Sequence, residues 1–239
     1  RPSLSTICSG SDRVAKRPPH KTRKSRTRRR PPAGSSPGMM RPNPDAHPSQ
    51  FRLFAFGPDE ILERNEIAHD TVVDARKRFP IIWVDVDGLS DIGAIRELGE
   101  EFDLHGLALE DVVNVHQRPK AEDYDSSLFV VLRMPEIGNR VSTEQMSMFI
   151  GDGFVLTFQE TPGDWFEPVR QRIRDPRSRL RVNGADFLAY TLIDAVVDAF
   201  FPILEDLGEQ LEDLEQDIME DPRHEHIPLI HQLRRDLLM

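Results

Sequence analysis

From residue 51 onward, hydrophobic residues recur in short runs that have the length and composition of β-strands. The runs are rich in β-branched and aromatic residues, which favour strands. Gly151-Asp152-Gly153 joins the last two runs by a short glycine-containing link, which predicts a hairpin and hence a partly antiparallel sheet. The predicted strands cover residues 51–56, 81–86, 128–134, 145–150 and 154–159.

Helical periodicity fills the intervals between these strands. Ile92, Ile95, Leu98 and Phe102 recur at three- and four-residue spacing, with Ser90 as the expected N-cap. A second, short helix is predicted over residues 107–115. Strands and helices together predict a layered α/β/α domain with a mixed, partly antiparallel sheet over residues 51–160.

After Thr161-Pro162-Gly163 the pattern becomes helical, with one segment at 165–175 and a much longer one at 185–220. Pro202 predicts a kink or break in the long segment. Residues 201–222, which cover its second half and the two residues after it, include nine acidic side chains and no basic one. An apolar seam with coiled-coil spacing predicts that it packs along another helix, and consists of Leu204, Leu207, Leu211, Leu214 and Ile218.

A further helix is predicted to begin within residues 225–228, where Pro228 is tolerated in the first turn. Its pattern still continues at Met239 without a C-cap, which indicates a truncated chain. The expected organisation is therefore a helical acidic subregion at 161–222, followed at 223–239 by the start of this last helix.

Charge divides the 239-residue chain into two unlike parts. Residues 1–50 carry 12 Lys or Arg against Asp12 and Asp45, whereas residues 51–239 have a net charge of −20. The first part has few apolar residues and several prolines, so we predict a disordered basic extension. An acidic folded part attracts cations and repels nucleic acid.

Compartment and membrane signals are sparse. Cys8 is the only cysteine, which excludes an internal disulfide framework and fits a reducing compartment. No stretch free of charged residues exceeds ten, so no bilayer-crossing helix is expected. An apolar export signal at the start is also not apparent.

The segment LEDVVNVHQRPK at 109–120 is the most specific motif in the chain. It resembles the signature of CorA magnesium channels. Similar segments follow the family's order over about residues 51–239, and comprise WVDV at 83–86, STEQMS at 142–147, LTFQE at 156–160, PVRQRIR at 168–174, LIDAVVD at 192–198 and HQLRR at 231–235.

This resemblance implies the cytosolic, magnesium-sensing domain of a homopentameric divalent-cation channel at the cell membrane. It implies that residues 223–239 start a stalk helix, which in the family leads to two membrane helices with Gly-Met-Asn between them. This sequence has no Gly-Met-Asn, so the resemblance supplies no pore within this chain. The fragment itself is expected to be soluble, to perform no covalent chemistry, and to contact a membrane only through the missing helices.

The resemblance also implies Mg²⁺ as regulatory ligand, with Co²⁺ as the alternative ion, at Glu110, Asp111 and Asp194. Magnesium keeps most of its waters and takes one or two protein carboxylates, so a sparse ligand set is compatible with it. Without the motif, Glu110 and Asp111 are simply a solvated turn of helix, and Asp194 is a surface carboxylate one turn from Asp198. His116 is a weaker candidate because magnesium prefers oxygen ligands.

Three other functions remain open on the sequence. A zinc or cobalt transporter of the same superfamily would carry the same domain, because the pore decides which metal is transported. A soluble nucleic-acid-binding protein would use the basic tail, but aromatic residues for base stacking are not interleaved there. A metal-dependent hydrolase would need a ligand cluster beside a water-activating group, and no such motif is present.

Overall fold

The computed structural model describes residues 38–238 except 66, 137–141 and 164, so most of the predicted basic extension lies outside the described residues. The strands are β1 Gln50–Phe56, β2 Ile61–Asn65, β3 Ile81–Asp87, β4 Lys120–Tyr124, β5 Ser127–Pro135, β6 Thr143–Gly151 and β7 Phe154–Gln159. The helices are α1 His69–Arg78, α2 Ile92–Glu101, α3 Gly106–Val113, α4 Glu167–Arg174, α5 Ala185–Asp198, α6 Phe201–Glu220 and α7 His226–Leu237, with a short 3₁₀ helix at Arg179–Arg181.

All seven strands form one mixed sheet in the order β2-β1-β3-β7-β6-β5-β4. The central pair β3 and β7 is parallel and the other neighbouring pairs are antiparallel. The predicted hairpin at Gly151-Asp152-Gly153 joins β6 to β7. Gly153 has φ +73°, and a Cβ there would lie 2.8 Å from the Pro80 carbonyl oxygen, so the turn requires glycine.

Apolar side chains project from both faces of this sheet, and helices cover each face. Helices α1, α2 and α3 pack on one face, which we call the α3 face. Helices α4 and α5, with the 3₁₀ helix, pack on the opposite face, which we call the α5 face. Alternation along β3 shows the division, since Ile82 and Val84 enter one core and Ile81 and Trp83 the other. The predicted layered α/β/α class with a mixed sheet is confirmed.

The sequence patterns missed three elements and misplaced one cap. Strands β2 and β4 and helix α1 were not predicted. Asp91, rather than Ser90, caps α2, because its Oδ1 accepts a hydrogen bond from the Ala94 N–H at 3.0 Å. The Ser90 hydroxyl instead accepts from the Ser49 N–H at 3.2 Å, and so ties the segment before β1 to the start of α2.

The predicted long helix is interrupted before Pro202, as expected. Helix α5 ends at Asp198 and α6 begins at Phe201. By length and composition alone, one stretch of the described residues, Ala185–Glu220, is apolar enough to cross a membrane, although a core helix of a soluble protein passes the same test. Its apolar part is α5, whose buried Leu188, Leu192 and Val196 pack on the sheet.

Helix α6 packs along α7, but the predicted five-residue seam is only partly correct. Leu207 and Leu214 are buried together with Leu233 of α7. Leu204 and Leu211 are 54% and 43% exposed. The contact between the two helices is therefore narrower than the spacing of the leucines predicts.

Candidate metal site

Helix α3 places Glu110 and Asp111 at the edge of the α3 face. Its buried residues, among them Leu109 and Val112, point into the core. The two acidic residues that interrupt this apolar pattern are left partly exposed. Consecutive side chains on a helix project about 100° apart, so the two carboxylates face different neighbours.

Each carboxylate already has a partner within the chain. Glu110 Oε2 accepts a hydrogen bond from the Gly38 N–H at 2.7 Å, which connects the segment before β1 to α3. Met40 is buried in the same core, so residues just after 37 lie against the domain. Asp111 Oδ2 forms an ion pair with Lys120 Nζ at 2.6 Å.

Lys120 bridges Asp111 to a second carboxylate on the edge strand β4. Its Nζ lies 2.8 Å from Glu122 Oε2, and the Tyr124 hydroxyl donates to the same oxygen at 3.1 Å. Burial alone would lower the pKa of the Lys120 ammonium, but hydrogen bonds to both carboxylates outweigh it and raise that pKa. The hydrogen bond from Lys120 lowers the pKa of Glu122.

Gln145 of β6 holds the loop that follows α3, and the sequence motif did not single it out. Its Oε1 accepts hydrogen bonds from the backbone N–H groups of His116 and Gln117 at 3.0 and 2.9 Å. Its Nε2 donates to the Asp111 carbonyl oxygen at 2.8 Å. The position of His116 is therefore fixed through its backbone, which supports a structural role for it. Arg133 also holds this loop, because its Nη2 donates to the Gln117 carbonyl oxygen at 3.1 Å.

Asp194 lies on α5, on the other side of the sheet from Glu110 and Asp111. It is exposed, as is Asp198 one turn later. The sheet and both cores separate α5 from α3. A single chain therefore cannot bring Asp194 and Asp111 to the same ion.

The structure tests whether these residues fit a magnesium ion. Among the residues described, no group of three or more His, Cys, Asp or Glu side chains is arranged to hold a metal. Glu110 and Asp111 can each offer one partly exposed carboxylate, which is the sparse donor set that a hydrated magnesium ion accepts. The fit is to a hydrated ion at the surface, and not to an enclosing metal cage.

A buried polar network occupies the α5 face of the central strands, and no sequence motif indicated it. Asp85 is fully buried and its Oδ2 pairs with Arg170 Nη2 at 2.8 Å. Its Oδ1 accepts from the hydroxyl of Thr157 at 2.8 Å, and that hydroxyl accepts from Trp83 Nε1 at 2.9 Å. The available signal was the alternation of polar residues in and directly after two predicted strands, 81–86 and 154–159. This arrangement is a structural ion pair inside the domain.

A third acidic feature lies at the end of β6. Glu144 is 1% exposed, and its Oε2 accepts hydrogen bonds from the Thr161 N–H at 2.7 Å and the Thr161 hydroxyl at 2.6 Å. Burial raises the pKa of the Glu144 carboxyl to about 7, with Glu160 and Glu136 acting in the same direction and the Thr161 hydrogen bonds opposing it.

Comparison with known proteins identifies the family. Residues 80–239 match the family model described as CorA-like Mg²⁺ transporter protein. The chain belongs to the CorA family. This confirms the resemblance carried by the 109–120 motif, and the members of this family are transporters or channels rather than enzymes.

Two individual relatives match 79% and 65% of the chain. The cobalt/magnesium transport protein CorA of Thermotoga maritima is 35% identical over 192 residues, which are 79% of this chain and 55% of that protein. The putative metal ion transporter YfjQ of Bacillus subtilis is 32% identical over 158 residues, or 65% of this chain and 48% of that protein. The chain thus spans about half the length of these relatives.

A solved structure supports the fold. The soluble domain of CorA from Methanocaldococcus jannaschii aligns with a TM-score of 0.64 at 18% identity, and covers 79% of this chain and 72% of that one. At this identity the likeness concerns the fold, which is the layered architecture with a long C-terminal helix.

Proposed function

We propose that this chain forms the regulatory, magnesium-sensing domain of a CorA-type divalent-cation channel and acts on the cytoplasmic side of the membrane. The observation that carries the proposal is the pair Glu110 and Asp111, which lie within the family's motif and sit partly exposed at the edge of α3. Ion binding there would neutralise surface carboxylates, and ion loss would restore their repulsion.

Asp194 enters this proposal as part of a second binding position. Because the sheet separates it from Asp111 within one chain, an ion held by both would have to lie between two copies. This geometry suits a sensor in a homo-oligomer, where occupancy controls how neighbouring copies pack. We include in this proposal that the homo-oligomer is a pentamer, as the family resemblance implies.

The test is magnesium-specific stabilisation of the chain. A ligand at ten times its Kd that binds only the folded state raises stability by about 1.4 kcal/mol. We expect thermal unfolding of the full chain to shift upward in millimolar MgCl₂, relative to NaCl at equal ionic strength, because general screening is then matched. Asp111→Asn should reduce this shift.

Asp213→Asn is the matched control, since it removes the same charge from the exposed face of α6. It should leave the magnesium-specific shift unchanged. If Asp111→Asn and Asp213→Asn respond to magnesium as the parent does, Asp111 is not a sensor ligand. Repeating the series with Co²⁺ tests the alternative ion, which the name of the Thermotoga maritima relative suggests.

A further inference from the structure

Asp111 is paired with a cation before any metal arrives. Lys120 Nζ lies 2.6 Å from Asp111 Oδ2 and 2.8 Å from Glu122 Oε2, so a single ammonium group contacts two carboxylates. It also lies 5.5 Å from the centre of the Phe129 ring, which adds a favourable contact for a cation. A divalent ion at Asp111 must compete with this ammonium group.

The geometry of β4 allows the Lys120 ammonium to remain paired with Glu122 when it leaves Asp111. Lys120, Glu122 and Tyr124 alternate along β4 and therefore lie on the same face of this edge strand. When Asp111 releases Lys120, Glu122 can keep the ammonium paired without a change in the backbone. The lysine side chain has enough rotatable bonds for this small displacement.

We infer that Lys120 is a built-in competing cation which sets the divalent-ion concentration needed to occupy Asp111, with Glu122 as the carboxylate that receives it on displacement. The inference rests on the proposed function at Asp111 and adds how the affinity of that site is regulated. Lys120 and Glu122 thus tune the affinity of the site and are not themselves ligands of the ion.

The experiment measures magnesium affinity of the full chain by calorimetry at constant ionic strength. Lys120→Met keeps most of the aliphatic stem and removes the charge. Mg²⁺ should then bind about fivefold more tightly, because the variant loses an ion pair whose strength is at the upper end of the range for solvent-exposed pairs. Lys120→Arg keeps the charge and should remain within about twofold of the parent affinity. Glu122→Gln should weaken binding, because the displaced ammonium then has no second carboxylate.

Asp123→Asn is the matched control for Glu122→Gln. It removes one negative charge from the adjacent, exposed position of β4, which points to the opposite side of the strand. It should change magnesium affinity less than Glu122→Gln does. Equal weakening by both variants would attribute the effect to net charge and would overturn the role of Glu122.

A second readout follows Lys120 directly and remains interpretable if Lys120→Met is poorly folded. Acylation of Lys120 by an amine-reactive ester, quantified by mass spectrometry, should accelerate when magnesium is added to the Glu122→Gln variant, because the displaced ammonium is then unpaired. In the parent the acceleration should be smaller. Acylation that is insensitive to magnesium in both proteins would contradict the displacement.

The outcomes separate this inference from the proposed function. If Asp111→Asn abolishes magnesium binding and Lys120→Met leaves it unchanged or weaker, the sensor stands and the competing-cation role is wrong. If neither the parent nor Lys120→Met shows magnesium-specific binding, both are wrong. If only Lys120→Met binds, the competing role is supported and sensing by the parent in the tested range is not.

Discussion

Glu144 shows how burial at a single residue sets a pH dependence for the whole fold. Its folded-state pKa is raised to about 7 from an ordinary value of 4.5. A carboxyl whose pKa is raised on folding contributes stability in full below its unfolded pKa. That contribution is lost as the pH rises through the interval between the two values.

We therefore predict that the titration of Glu144 lowers the free energy of unfolding by up to about 3 kcal/mol between pH 5 and pH 8. Glu144→Gln keeps an oxygen acceptor for Thr161 and stays neutral, so most of this fall should disappear. Denaturant titrations of both proteins at the two pH values measure it. Glu209→Gln on the exposed surface of α6 is the control and should follow the parent; a Glu144→Gln protein with the parent's pH dependence would contradict the prediction.

Arg170 and Asp85 give a second prediction for individual residues. Both side chains are buried, at 2% and 0% exposure, and they are ion-paired. Arg170 is the nearer of two arginines at Asp85, and breaking a buried pair costs up to about 3–5 kcal/mol. Arg170→Met should therefore destabilise the chain strongly.

The double variant Arg170→Met with Asp85→Asn tests the cause. It removes both charges, so its loss of stability should be clearly smaller than the sum of the two single losses. The measurement is a double-mutant cycle of unfolding free energies. Strict additivity would mean that the two groups contribute independently, for example because Arg52, whose Nη2 is 3.3 Å from Asp85 Oδ2, already neutralises that carboxylate.

At the scale of elements, the α6 and α7 pair depends on very few buried side chains. Leu207, Leu214 and Leu233 form the whole buried cluster between them among the described residues, with Ile203 and Ile218 partly buried beside it. We predict that Leu214→Ala weakens this contact by about 2 kcal/mol, at the low end for a buried leucine because the site is near solvent.

Hydrogen exchange of the α7 amides is the suitable measurement, because the helix pair can open without unfolding of the sheet domain. Leu214→Ala should accelerate exchange in α7. Leu211→Ala removes an equal volume from a side chain that is 43% exposed and should have little effect. Equal acceleration by both variants would instead support the broader seam that the leucine spacing suggests.

Elements with a strong hydrophobic pattern were predictable from the sequence, and weakly patterned ones were not. Strands β5, β6 and β7 carry dense β-branched and aromatic residues, and the predicted boundaries lie within two residues of the observed ones. Strand β4 reads KAEDY, a polar edge strand without a hydrophobic face. Among the α1 residues whose burial the structure describes, only Val72 and Ala75 are buried, too few for a periodic signal.

The sequence predicted the residues of the candidate site but not the side chains that contact them. The 109–120 motif singled out Glu110 and Asp111. Lys120 belongs to the same motif, yet its ion pair with Asp111 depends on how the loop folds back. Gln145 lies more than 25 residues further along and reaches this loop only through sheet pairing. The separation of Asp194 from Asp111 could likewise be seen only once the order of the strands in the sheet was known.

Over the whole molecule, acidic charge and exposed apolar residues lie on two neighbouring helices, α6 and α7. The chain has a net charge of −10, and residues 201–222 are acidic without a basic residue. On α7, Ile227, Leu229 and Ile230 are each about half exposed. Copies of this chain therefore experience both a hydrophobic attraction and an electrostatic repulsion.

The two forces respond differently to salt, which gives the last prediction. Ions at 0.3 M shorten the range of repulsion to roughly 6 Å, whereas contact between apolar side chains is not screened. Sedimentation of the full chain should therefore show more self-association at 0.3 M NaCl than at 0.02 M. The double variant Ile227→Ser with Ile230→Ser should associate less at both concentrations while keeping its unfolding free energy within about 1 kcal/mol, because both side chains are already half exposed. Association that decreases with salt would show that opposite charges, and not the apolar face of α7, hold the copies together.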